Sequence, residues 1–241
     1  MAYNYLELVN SLCRRTNEVE LTSSNFSSAN GIYNDFKQLV NYSIREINMV
    51  EYEWPFNHST ESKVLTAGTN RYAYPTGTKT VDFDSFRIQR DDTLGNRSVH
   101  LKIMDYDYFL ANLVDDEYNT SNTGIRALPE YVFRTPDSKY GVWKIPDQAY
   151  TLDFEYYSLP SDLSAYDDTP TIPESFKHVI VEGAMSKAWN FKSDMENSDR
   201  SKRVFDEGIE RMRSIYINRY IDFRDTRVPQ RNASRYTTVI E

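Results

Sequence analysis

The feature that most constrains this 241-residue chain is a hydrophobic period that changes twice. Apolar residues first recur at helical spacing. From about residue 60 to 160 they alternate as in strands, and after that the helical spacing returns. Helical stripes at both ends of a chain find their natural burial against each other, so the middle section reads as an insertion into one helical assembly. The expected fold is α+β: an antiparallel-type four-helix bundle interrupted by a β-rich, sandwich- or barrel-like insertion, with an extended C-terminal tail. The boundaries that follow are residues 1–58 with 170–222 for the helical domain, 59–169 for the insertion and 223–241 for the tail.

The stripes can be read residue by residue. Tyr5, Leu6, Val9, Leu12 and Cys13 predict a helix over 3–15. Ile32, Phe36, Leu39, Val40, Ile47 and Val50 predict a longer one over 31–52, with Asn30 as cap and Pro55 as terminator. Five to seven strands are expected in the middle, among them two around a Gly68 turn, with a short helix over 105–113. In YTLDFEYYS, Leu152, Phe154 and Tyr156 alternate with polar neighbours, so one face should be buried. Thr171 and Glu174 have capping-box spacing before a helix over 174–192, whose Gly183 and Ala184 allow close helix approach. Asn197 or Ser198 should cap the last helix, which runs to about 222. The aperiodic remainder, with Pro229, should be extended or disordered when free.

Charge and composition narrow the function. The net charge is −8, which disfavours sequence-independent wrapping of nucleic acid. Residues 201–236 nonetheless carry nine Lys and Arg against five Asp and Glu, a basic end on an acidic body that suits either a solvated helix face or docking onto an acidic partner. No apolar run is long enough to span a membrane, and no secretory signal is visible at the N-terminus. The single Cys13 forms no internal disulfide and no thiolate zinc site. Most of the 19 tyrosines cluster in 72–157 and near 216–220; an amphipathic ring suits packing at subunit and partner contacts.

Searches for chemistry return bland readings. PTGTKT lacks the order of a phosphate loop, so Lys79 and Thr80 read as hairpin residues. His58, His100 and His178 share no metal-ligand spacing. The acids at Asp91-Asp92, Asp115-Asp116-Glu117 and Asp167-Asp168 read as solvated loop residues, although two carboxylates at a suitable separation could hydrolyse a glycoside. Asp105-x-Asp107 lacks the Gly and Glu of a calcium loop. No metal or cofactor is expected. A tail-associated glycan hydrolase and a carbohydrate-binding module using the Tyr and Trp set remain as alternatives.

An ordered set of segments carries a family resemblance. It begins with LVNSLCRRTN and the EWPF segment at Glu53 to Phe56. Gly68 with Tyr72-x-Tyr74-Pro75 follows, then LKIMDYDYF, LPEYVF, VWKIPDQAYTLDFEYYSLPSDL and PTIPESFKHVIVEGAMSKAW. In this order they resemble the head–tail adaptor proteins of short-tailed bacteriophages, also called head-completion or tail tubular A-type proteins. Lys144-Ile145-Pro146 departs from the family's two-proline turn. The resemblance implies a non-catalytic virion protein of the neck, assembled in the host cytoplasm. Its copies would form a ring, commonly of twelve, between the portal protein and the tail nozzle protein, with genomic DNA passing through the channel without sequence-specific binding. With the basic tail, this makes Arg224, Arg227, Arg231, Arg235 and Tyr236 the expected portal contacts. Asp91, Asp92, Arg97, Trp143, Lys144 and Tyr150, on the β loops, are the expected contacts to the tail component or a neighbouring subunit.

Overall fold

A computed structural model describes residues 3–90, 97–118 and 126–217, with the backbone alone described at Arg90 and Arg97. In chain order the elements are α1 (Tyr5–Thr16), α2 (Ile32–Val50), β1 (His58–Leu65), β2 (Arg71–Ala73), β3 (Thr78–Arg90), β4 (Arg97–His100), β5 (Lys102–Ile103), α3 (Tyr106–Asn112), α4 (Val114–Tyr118), β6 (Tyr131–Thr135), β7 (Lys139–Trp143), β8 (Tyr150–Ser158), α5 (Lys177–Phe191) and α6 (Met195–Tyr216). The fold is mixed α+β, with six helices and two sheets among the described residues. The chain divides into two compact units: Met1–Phe56 with Pro160–Glu241, and Asn57–Leu159.

In the helical unit, α1, α2, α5 and α6 contribute to one core. Leu8, Val9 and Leu12 meet Val40, Ile44 and Ile47, then Val179, Ile180 and Met185, then Phe205, Ile209 and Met212. α5 touches α1, α2 and α6. Its burial therefore runs almost round the helix, from Val179 through Val181 to Gly183, Met185 and Ala188. Such close approach depends on Gly183. A Cβ there would overlap Ser43 Oγ of α2 and come within 2.6 Å of the Phe205 ring of α6. Ser43 uses the closeness, donating from Oγ to the Ile180 carbonyl at 2.9 Å.

Several helix ends differ from expectation. α1 is capped by Asn4, whose side chain accepts from Glu7 N at 3.0 Å. α2 is led by Gly31 at φ 65°, with no side-chain cap, so Asn30 is not its cap. It ends at Val50 because Glu51 turns extended, well before Pro55. A 3-10 turn over Glu174–Phe176 led by Pro173 precedes α5, displacing the expected Thr171 cap. Asp194 caps α6, accepting from Asn197 N at 3.2 Å; a carboxylate one turn earlier outcompetes the amide.

Residues 160–169, which the sequence reading places with the insertion, are held by the helical unit. The Tyr5 and Leu6 amides, unpaired in the first turn of α1, donate to Asp168 O at 2.8 Å and Tyr166 O at 3.0 Å. Asn41 of α2 donates to Leu163 O at 2.9 Å and accepts from Leu163 N at 3.1 Å.

The other unit holds two four-stranded sheets, ordered β1-β8-β3-β4 and β2-β7-β6-β5. All pairs are antiparallel except β5 with β6. The expected strands around Gly68 are both present, but β1 and β2 join different sheets. Gly68, at φ 78°, donates to Pro146 O at 2.9 Å where the chain crosses over. Leu65, Phe86, Ile88, Leu152 and Phe154 of one sheet share a core with Tyr72, Val132, Tyr140 and Val142 of the other. The alternation read in β8 is thus real: Leu152 and Phe154 are buried and Tyr156 packs at the core's edge. Eight strands form among the described residues rather than five to seven, because β2, β4 and β5 are too short for alternation to register. The expected short helix appears as α3, whose Phe109 stacks on Phe133 of β6 at 4.2 Å.

Candidate functional site

Of the interface residues expected from sequence, Arg224, Arg227, Arg231, Arg235, Tyr236, Asp91 and Asp92 lie outside the described residues. Arg97 opens β4, in register with Arg90 of β3. Trp143 closes β7; its ring lies 5.6 Å from Tyr131 and its Nε1 donates to Asp116 Oδ2 at 3.3 Å. Lys144 Nζ donates to Glu130 Oε1 at 3.0 Å, and Tyr150, opening β8, donates to Asp147 Oδ1 at 2.7 Å. Trp143 and Lys144 thus sit together at the rim of one sheet, while Tyr150 belongs to the other.

Three of the acids singled out by sequence, Asp116, Glu117 and Asp168, have structural partners. Glu117 pairs with Arg71 at 2.8 Å. Asp168 accepts from Ser164 N at 2.6 Å and Ala165 N at 2.7 Å; these backbone bonds hold its carboxyl below the usual carboxylate range. His58 sits 3.1 Å from Glu155, and His178 lies beside Phe176. Among the described residues no group of three or more His, Cys, Asp or Glu could hold a metal ion.

Cys13 is buried, and desolvation, aided by Glu18 and Glu20, pushes its thiol up to about 11. The folded protein is expected to react with a disulfide reagent at pH 8 many times more slowly than the urea-unfolded chain; equal rates would show that α1 does not bury this face.

The tyrosines divide into two populations. Tyr5, Tyr72 and Tyr140 belong to the chain's own cores, so for these the cover is not another subunit. Burial raises the phenol pKa of each, and that of Tyr74 reaches about 12. Tyr42, Tyr52, Tyr108, Tyr118 and Tyr166 are exposed. Sequence periodicity also missed Phe191, which is 75% exposed at the end of α5. It lines a hollow of about 190 Å³ with Ile32, Phe36 and Leu39 of α2. The α5 stripe marks its buried side only, so an aromatic off that stripe gave no signal.

Two further observations place the chain among known proteins. A search of curated proteins finds no match. A family model described as SU10 adaptor protein matches residues 3–233, nearly the whole chain and both of its units. That agrees with the likeness to phage head–tail adaptors read from the ordered segments, and the chain belongs to the SU10 adaptor protein family.

Proposed function

We propose that this protein is a non-catalytic virion component, one subunit of an adaptor ring that joins the portal protein to the tail nozzle protein in the phage neck. The observation that carries the reading is the family match over residues 3–233. In this reading twelve copies surround the channel through which genomic DNA passes. Ring closure needs two lateral faces on each subunit, one fitting the next by rotation. The core shared by α1, α2, α5 and α6 supports describing the helical unit as a four-helix bundle, and this is a rigid base from which a tail can reach. The basic residues Arg224, Arg227, Arg231 and Arg235, with Tyr236, engage the portal. Twelvefold repetition offsets the modest affinity of any one such contact. Asp91, Asp92, Arg97, Trp143, Lys144 and Tyr150 face the tail component or a neighbouring subunit.

Deleting residues 224–241 is expected to abolish capture of the chain by immobilised portal protein while leaving its melting temperature unchanged. Undiminished capture would overturn the portal assignment of those residues.

A further inference from the structure

We propose that Asn30 is a spontaneous modification site, at which the folded protein converts asparagine to aspartate and isoaspartate. The chemistry is intramolecular. The backbone nitrogen of the following residue loses its proton to hydroxide and attacks the side-chain carbonyl carbon, Cγ. A C–N bond forms, the side-chain nitrogen leaves as ammonia, and a succinimide ring remains. One water then opens the ring at either carbonyl. The product is an aspartate or, with the main chain rerouted through the side chain, an isoaspartate. Nothing is oxidised or reduced. Two things slow the reaction: bulk on the following residue, and hydrogen bonds that hold either reacting group.

Asn30 escapes both. It precedes Gly31, and this is the one Asn-Gly pair in the sequence. A Cβ added at Gly31 would meet nothing within 4 Å, so the ring has room to close. Both residues are exposed. Because Gly31 rather than Asn30 leads α2, the carboxamide caps nothing. Among the described residues neither this carboxamide nor the Gly31 amide has a hydrogen-bond partner. Gly31 bonds through its carbonyl, which accepts from Asn34 N at 2.9 Å and Asp35 N at 3.3 Å. Its nitrogen lies at the positive end of the 19-residue α2, which favours the negative charge that develops there during attack.

The structure separates Asn30 from two other asparagines that precede a small residue. Asn10 is buried, donates to Leu21 O at 2.9 Å and accepts from Leu21 N at 2.8 Å, and Ser11 after it belongs to α1. Asn197 donates to Asp194 Oδ2 at 2.7 Å, and the Ser198 amide donates to Asp194 O at 3.1 Å. In both pairs the carboxamide is held and the next residue is fixed in a helix, so nitrogen and Cγ are kept apart.

The product alters the start of α2. A carboxylate is added at the positive end of the helix, on a chain already at −8. Isoaspartate also lengthens the main chain just before Gly31, whose carbonyl anchors the first turn. The inference is independent of the adaptor reading, and its test involves neither portal nor ring.

The experiment is incubation of the full chain in warm buffer at pH 8, with peptide mapping by mass spectrometry at intervals. A synthetic peptide of residues 26–34 is incubated alongside. The mass gain of one deamidation is expected in the fragment holding Asn30, as two products of equal mass that separate by chromatography. Asn10 and Asn197 should stay unchanged. Raising the pH should speed the gain, since the attacking nitrogen must lose its proton. The rate in the folded chain should lie within about tenfold of the peptide's, as for a site that needs no local unfolding. A slower rate, no gain at Asn30, or an equal gain at Asn10 or Asn197 would overturn the proposal.

Discussion

Gly183→Val is expected to destabilise the helical unit by about 3 kcal/mol or more, through overpacking. The position lies where α2, α5 and α6 come together. Even a single added Cβ meets Ser43 Oγ and the Phe205 ring, and valine adds two methyl groups beyond it. Neither neighbour can yield cheaply. Ser43 is fully buried and bonded to the Ile180 carbonyl at 2.9 Å, and Phe205 is 4% exposed. The helices must separate, which opens the contacts of Val40, Val179 and Ile209. For a chain of this size the melting temperature should fall by about 10 °C. Gly183→Ala should cost less, and a valine variant that melts with the parent would mean the three helices do not approach as described.

Trp54→Ala is the second large effect. Trp54 is 0% exposed, stacks on Phe56 with ring centroids 5.3 Å apart, and donates from Nε1 to the Ile47 carbonyl at 2.9 Å. Removing it leaves a cavity, at about 3–5 kcal/mol. It also leaves a carbonyl near the end of α2 without its donor, which adds to the cost. Trp54→Phe should fall between, restoring part of the apolar volume but not the hydrogen bond. The check is urea unfolding followed by helical circular dichroism. A loss below about 1 kcal/mol for the alanine variant would contradict the packing of this ring.

These two residues also mark how much could be read in advance. Gly183 stands out in sequence because small residues on an apolar stripe permit close approach, and the structure adds which neighbours make use of it. Trp54 appears in sequence only within the EWPF segment; the carbonyl it would bond was not legible, since that depends on where α2 stops. The cap was misplaced by one residue at α2 and by three or four at α6, and a 3-10 turn took the place of the cap expected before α5, because several polar residues compete at each end and spacing alone does not choose among them. Strand alternation found β8 but could not assign β1 and β2 to different sheets, which long-range pairing decides. The ion pair of Arg15 with Glu182 had no sequence signal either, since the two residues lie 167 apart and only helix packing brings them together. Trp143 and Lys144 are neighbours in sequence, but their partners Asp116 and Glu130 come from other segments.

The central claim is that this chain is a structural part of the phage neck. A cryo-electron microscopy reconstruction of the virion neck, with density fitted by the two units of this chain, tests it most directly. The account predicts a closed ring of identical subunits between the portal and the tail nozzle, with residues 224–236 in contact with portal density. A neck in which that layer is built by another protein, with this chain elsewhere in the virion or missing from it, would contradict it.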